Sequence, residues 1–197
     1  MSEVKISYTI GDVSLVRGGN KRKIEAVPFK TSVELKDGDR IITGPTSYVT
    51  DLWDRPSPIR AESGTGVVMF PNSKLLLGIK RNLIKRIELI NGLFRITTDK
   101  EVVTPTAELR FPHGANEFWV DVSKDGSVVV ASEVAPMEVV HKKTKRGVVL
   151  NYKQQVTVTQ ENILGPSDID QRFKEACKLK ETLDQSKTKF LYGDMLK

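Results

Sequence analysis

Leu35-Lys-Asp-Gly-Asp-Arg-Ile-Ile-Thr-Gly-Pro-Thr-Ser-Tyr-Val49 decides how this chain is read. It is a turn running into a strand, echoed by Thr65-Gly-Val-Val-Met-Phe-Pro-Asn-Ser-Lys-Leu-Leu-Leu77, and it contains no catalytic group. Aligning Pro45, Pro71 and Pro105 places Ile42, Val68 and Val102 three positions before the proline. The same alignment places Ser47, Ser73 and Ala107 two after it, and Val49, Leu75 and Leu109 four after it. Residues two and four after the proline share one strand face, so the small one leaves room near a bend and the apolar one enters the core. Proline has no N–H for a central ladder and suits the corner where a strand begins or turns. The intervals of 26 and 34 residues are too irregular for a strict solenoid. The pattern predicts strand-corner-strand units wrapping a common core.

Working outward, short strands dominate. Val13, Leu15 and Arg17 lead to Gly18-Gly19-Asn20 and return through Ile24 and Val27, a hairpin whose turn needs positive φ. Asn91-Gly92 lies between Ile87–Ile90 and Leu93–Ile96, and Asp125-Gly126 between Phe118–Val122 and Val128–Ala131. Each reads as a two-residue hairpin turn. A last strand pair is expected from Gly147–Leu150 and Gln155–Val158. The fold class that follows is all-β, an antiparallel β-roll or sandwich of short strands.

After Gly165-Pro166 the pattern changes. Ser167 can cap a helix, Asp168 and Asp170 suit its positive end, and Ile169, Phe173, Ala176, Leu179 and Leu183 recur near the helical period. Asp170 and Lys174 have the acid-before-base spacing of an exposed helical face. The division expected is residues 1–165 as the β domain and 166–197 as an amphipathic C-terminal helix of about four to five turns and a tail, packing on that domain or on a partner.

The 197 residues, 39% of them apolar, suffice for one sizeable core, and a single cysteine, Cys177, rules out an intramolecular disulfide framework. No run approaches the roughly 20 apolar residues of a membrane span, so no membrane insertion is expected. The N-terminus carries no export signal, which reads as cytoplasmic for the chain as written, and as periplasmic or extracellular where a leader has been trimmed. The net charge of +6 is uneven, with nine Lys and Arg against five Asp and Glu in residues 51–100. Lys80, Arg81, Lys85 and Arg86 form the densest basic group, beside Lys142, Lys143, Lys145 and Arg146, and Lys21, Arg22 and Lys23. Such groups suit nucleic acid or an acidic surface, or keep exposed strand edges from pairing with other chains. No aromatic residues alternate with them as stacking platforms.

Catalytic chemistry is not legible. His113 and His141, the two histidines, have no second ligand or base at metal or triad spacing and read as surface or turn residues. Cys177 falls on the apolar side of the expected helix. Gly18-Gly19 and Gly64-Thr65-Gly66 read as turns and not as phosphate loops. The acidic pairs Asp37/Asp39 and Asp51/Asp54 fall short of the six to eight oxygens that calcium prefers, so no metal site and no cofactor is expected. Trp53 and Trp119, among apolar neighbours, read as core or interface ahead of ligand stacking.

Across roughly residues 10–160 the chain resembles the FecR-type domain. The segments that carry the resemblance are Gly11-Asp-Val-Ser-Leu-Val-Arg17, Leu35 with Gly38-Asp39-Arg-Ile-Ile-Thr-Gly44 and Ser47, and Pro71-Asn-Ser-Lys-Leu75. They continue with Ile87–Leu93, Val103-Thr-Pro-Thr-Ala107 and Gly114–Val122 ahead of Asp125-Gly126. The Gly114-Ala115-Asn116-Glu117-Phe118 segment is one residue longer than the family's Gly-Thr-Glu-Phe, and the Gly that closes the following strand is replaced around Ser132–Met137. The family's sigma-factor-binding segment, membrane helix and receptor-contacting extension have no counterpart here. The resemblance implies an all-β roll or sandwich acting in signal reception or protein interaction, with no catalytic residues.

The functional expectation is a non-enzymatic binding or scaffold module with a protein partner, its helix offering a route to a homo-oligomer. The alternative is nucleic-acid or anionic-polymer binding through Lys80, Arg81, Lys85 and Arg86. A hydrolase using the acidic pairs is a third reading that the residues support least.

Overall fold

The structure is a computed structural model and describes residues 4–28, 30–54, 64–112, 114 and 116–193. Its strands, in chain order, are β1 (Lys5–Ile10), β2 (Val13–Arg17), β3 (Asn20–Ile24), β4 (Val33–Glu34), β5 (Arg40–Thr43) and β6 (Tyr48–Trp53). Then come β7 (Gly66–Met69), β8 (Lys74–Lys80), β9 (Leu83–Thr98), β10 (Glu101–Val103), β11 (Ala107–Arg110) and β12 (Asn116–Val122). The last are β13 (Val128–Ser132), β14 (Met137–His141), β15 (Gly147–Leu150), β16 (Gln154–Val158) and β17 (Ile163–Asp168), followed by one helix, α1 (Gln171–Gly193). The chain is all-β with a C-terminal helix, as its turn spacing predicts.

Two sheets face one another across the core. Sheet A runs β4-β1-β6-β7-β9-β12-β13-β16-β17. Sheet B runs β3-β2-β5-β8-β9-β10-β11-β14-β15, antiparallel except for the parallel β9–β10 pair. β9 belongs to both, and this corrects the reading of Asn91-Gly92 as a hairpin turn. Residues before Asn91 pair with β8, those from Gly92 onward pair with β12, and the chain bends between the sheets without reversing. The reversal lies earlier, at Arg81-Asn82, where both residues take positive φ (53° and 57°) between the paired Lys80 and Leu83. That is a two-residue turn of the mirror-image type built without glycine, which is why the sequence hides it.

The proline-serine pattern is explained by what crosses behind each serine. At Gly92 (φ 103°) an added Cβ would come within 2.2 Å of Ser73 Oγ, and at Gly11 (φ 75°) within 2.6 Å of Ser47 Oγ. Both are sheet-to-sheet crossings, and in both the serine oxygen accepts the next backbone N–H. Asp12 donates to Ser47 Oγ at 2.7 Å and Leu93 to Ser73 Oγ at 3.1 Å. A larger side chain in place of either serine would fill the approach that the glycine leaves open. Ser47, Ser73 and Ala107 are all buried, as are Val49, Leu75 and Leu109. The third member differs in one respect. Pro105 sits in a hairpin inside sheet B, between β10 and β11, and marks no crossing.

Four further expectations are corrected. Asp125-Gly126 does join β12 to β13, but through a three-residue loop, Lys124–Gly126. The Ser123 N–H donates to Ser127 O at 2.8 Å, the Gly126 N–H to Ser123 O at 3.0 Å, and φ is 83° at Gly126. β15 and β16 do not pair with each other. β15 lies beside β14 in sheet B and β16 between β13 and β17 in sheet A, because the link through Asn151–Lys153 is another corner. Ser167 does not cap the helix, since the strand β17 extends through Gly165-Pro166 to Asp168. The cap is Asp170, whose Oδ1 accepts the Phe173 N–H at 3.4 Å, and α1 spans 23 residues. Asp170 bonds Arg172 at 3.1 Å in place of Lys174.

Alternating side chains of the two sheets, among them Leu15, Ile41, Leu75 and Ile87 from sheet B and Phe94, Ile96, Phe118 and Val130 from sheet A, fill the space between them. β12 breaks the alternation: Phe118, Trp119 and Val120 are buried in succession, so both of its faces are covered. The second cover is α1. Phe173 and Ala176 pack on Phe70, Trp119 and Ala131, with the Trp119 and Phe173 rings 6.3 Å apart and the Phe70 and Trp119 rings 5.4 Å apart. The helical stripe expected to include Leu179 runs through Cys177 instead, and Leu179 is 37% exposed.

Candidate binding surface

The β8–β9 hairpin brings the expected basic group to one sheet end. Lys80 closes β8, Arg81 is at the turn, and a register shift between Gly78 and Ile79 leaves one extra residue in β9. The bulge exposes Lys85 and Arg86 in succession between the buried Ile84 and Ile87. Arg86 leaves the group chemically. It pairs in register with Glu101 and lies 3.7 Å from Glu88, whereas Lys80, Arg81 and Lys85 have no carboxylate partner among the described residues.

The other basic groups divide the same way. In the β14–β15 turn, Lys143 bonds Glu161 at 3.0 Å, Lys145 bonds Glu108 at 3.1 Å and Lys142 donates to Thr104 O. The Lys145 ammonium holds Glu108 below the usual carboxylate range, and burial pulls Lys142 below the usual lysine range. His141 organises this turn from inside: its Nδ1 accepts the N–H groups of Lys143 and Thr144 at 3.1 Å each, and its Nε2 meets Thr159 O at 3.1 Å. It is buried, which corrects its reading as a surface residue. His113 lies outside the described residues. Lys21, Arg22 and Lys23 form β3, an exposed edge strand of sheet B, where only Lys23 has a partner among the described carboxylates, Asp12 at 2.5 Å.

The described members of the acidic pairs, Asp37, Asp39 and Asp54, are bound into the fold. Asp39 is fully buried, accepts Arg17 Nε at 2.8 Å and Nη2 at 2.6 Å, and takes the Lys36 N–H at 2.8 Å. Asp37 accepts the Ile79 N–H at 2.7 Å. Asp54 is 2% exposed and accepts the N–H groups of Thr65 and Ile84 at 3.0 and 3.1 Å, while the side chain of Asp51 lies outside the described residues. Each carboxylate thus closes a loop onto a strand. Among the described residues no group of three or more His, Cys, Asp and Glu side chains is placed to hold a metal ion. Burial pushes the Cys177 thiol up, Glu133 adding to that and Arg95 opposing it. Trp53 is half-buried with Nε1 donating to Ser7 Oγ at 3.0 Å, and Trp119 is buried with Nε1 donating to Glu133 Oε2 at 3.0 Å.

What distinguishes regions of the surface is cover. The outer face of sheet A carries α1, whereas on the outer face of sheet B Val16, Ile42, Leu76 and Val103 join no apolar cluster among the described residues. Register lays two rows across that bare face. One is Lys23-Ser14-Ile42-Lys74, and the other is Lys21-Val16-Arg40-Leu76-Glu88-Val103-Glu108. Its far half holds a shallow depression of about 350 Å³ lined by Arg86, Glu101, Val103, Glu108, Arg110 and Lys142. There Arg110 meets Glu108 at 3.4 Å and Glu138 at 3.3 Å, so cations and carboxylates neutralise one another.

Sequence reasoning missed Arg40 and Lys74. Their period-two alternation with Ile42 and Leu76 is visible, but β2, β5 and β8 become neighbours only through pairings far apart in the chain. No protein-family model matches the chain, and no curated protein matches it in sequence. No helix among the described residues is long and apolar enough to cross a membrane.

Proposed function

We propose that this protein is a non-catalytic binding module that presents the outer face of sheet B to a protein partner. The observation that carries this reading is the asymmetry of the two outer faces: α1 covers one, and the other leaves Val16, Ile42, Leu76 and Val103 half-buried among charges and in no apolar cluster among the described residues. A mixed apolar and charged surface of this kind is what protein interfaces use. The structural use of Asp37, Asp39, Asp54, His141 and the two tryptophans supports a role without chemistry, and the ordered segments that resemble FecR-type domains support a role in signal reception or interaction. The test is affinity capture with the full chain, comparing wild type with Leu76→Asp and with Leu179→Asp on the helix's exposed side. Loss of the captured partner in the first variant and retention in the second is expected. A wild-type chain that is monomeric by light scattering and retains no partner removes the reading.

The exposed trio Lys80, Arg81 and Lys85, without carboxylate partners, supports a second reading as an anionic-polymer site. Steep weakening with salt and loss on substitution of the trio by Glu are its expected signs, and no electrophoretic shift at low salt ends it.

A further inference from the structure

The structure assigns an acidic polypeptide segment as the partner of one half of this face, the half formed by β3, β2, β5 and β8; the inference rests on the reading that the outer face of sheet B is the binding face. Lys21, Lys23, Arg40 and Lys74 project from that half, and the only carboxylate paired with any of them among the described residues is Asp12, on Lys23. The far half of the same face is mutually neutralised through Arg86–Glu88, Arg110–Glu138 and Lys145–Glu108. One sheet face thus holds a compensated half and an uncompensated one, and the positive charge of the second half is complementary to an acidic partner.

Arg40 is the anchor. Three described arginines are half-buried, and two of them hold carboxylates: Arg17 on Asp39, and Arg95 on Glu117 and Glu133. The third, Arg40, has none, and its Nε is buried without a hydrogen-bond partner. Its terminal nitrogens are not buried and hold no acceptor among the described residues, so a half-buried guanidinium in register between Val16 and Leu76 is left with donors that an incoming carboxylate can take. Gly78, next outward on β8 from Leu76, adds no side chain beside it.

The surface selects polypeptide over nucleic acid. Val16, Ile42 and Leu76 alternate with the cations across four strands, about 15 Å at the usual strand spacing. An acidic segment with interspersed apolar residues matches both, whereas a phosphate backbone leaves the apolar positions unused. No aromatic ring stands on these rows to stack a base.

The test uses fluorescence anisotropy on the full chain with three labelled probes: a peptide of repeated Asp-Glu-Leu units, the corresponding Ser-Ser-Leu peptide, and a single-stranded oligodeoxynucleotide. The acidic peptide is expected to bind and the neutral one not. Arg40→Gln should weaken binding about tenfold or more, as for a charge-assisted bond worth about 1.5–3 kcal/mol. Lys74→Gln, at a half-buried position with no carboxylate partner among the described residues, should weaken it several-fold, and Lys124→Gln, exposed in the β12–β13 loop, should leave it unchanged. Arg40→Gln and Lys74→Gln both binding like wild type, no binding at low salt, or the oligonucleotide displacing the peptide would each overturn the assignment. If a captured partner is lost with Leu76→Asp yet the acidic peptide does not bind, the binding face stands and the acidic partner falls. If neither responds, the face itself is wrong.

Discussion

The outer faces of the two sheets begin from the same strand chemistry and end differently. On sheet A, Leu93, Trp119 and Val129 point away from the core and are met by Ile169, Phe173, Ala176 and Cys177. On sheet B, Val16, Ile42, Leu76 and Val103 point away from the core and join no apolar cluster among the described residues. The polar residues follow suit. On the covered face Arg95 is locked by Glu117 and Glu133, Trp119 donates to Glu133, and Arg172 of the helix reaches Asp121 at 2.5 Å. On the bare face Arg40 has no such partner. The difference separates a face built for stability from one whose groups are left for something else.

The strongest way to break this comparison is Trp119→Ala. It removes the ring contacts to Phe70 and Phe173 and the bond to Glu133, and should cost about 3–5 kcal/mol in urea unfolding. Leu76→Ser on the bare face should stay within about 1 kcal/mol. Equal losses from the two would show that the bare face is structural after all.

The crossing that separates the faces comes next. Gly92→Ala would set a Cβ 2.5 Å from Ser73 Cα at φ 103°, where only backbone movement relieves the clash, and should cost about 2–3 kcal/mol. Gly18→Ala also has positive φ but meets nothing within 4 Å, and should cost about 1 kcal/mol. The gap between the two thermal shifts measures the crossing itself.

Arg172→Ala sharpens the account of the covered face at lower cost, about 1 kcal/mol for a half-exposed pair. Burial raises Asp121 above the usual carboxylate value and Arg172 opposes that rise. A raised carboxyl keeps its proton in the folded state, so its favourable contribution is present below the unfolded pKa and is lost as pH climbs through the folded one. Removing Arg172 should extend that loss to higher pH, and Asp121→Asn should abolish it, read as the pH dependence of the unfolding midpoint.

Local chemistry made much of the fold legible. Gly18-Gly19, Pro45 with Ser47 and Pro71 with Ser73 declare themselves because glycine permits positive φ and proline fixes φ wherever they stand. Asn91-Gly92 misled because the same positive φ serves a reversal and a crossing, and what separates them is Ser73, nineteen residues earlier. Arg81-Asn82 was invisible as a turn for the opposite reason, since its positive φ is imposed by the pairing of β8 with β9. The proposed binding face is the least legible. Lys80, Arg81, Lys85 and Arg86 stand close together in the sequence, whereas Lys21, Arg40 and Lys74 are assembled only by register across β3, β2, β5 and β8.

The smallest expected effect tests whether charge on the bare face bears on folding. Lys142, on the rim of its depression, donates to Thr104 O and is held below the ordinary lysine value by burial, with Glu108 pulling the other way. Between that lowered value and 10.5 the unfolded chain binds more protons than the folded one, so stability should rise with pH across that window. Lys142→Met should flatten the rise. At neutral pH the variant loses one hydrogen bond and one partly desolvated charge, which oppose each other, and the net change should be a few tenths of a kcal/mol for a half-buried group. The slope in alkaline melts is therefore the readout. A slope unchanged in Lys142→Met would mean that the amine is fully solvated, and that this part of the bare face contributes to neither folding nor its pH dependence.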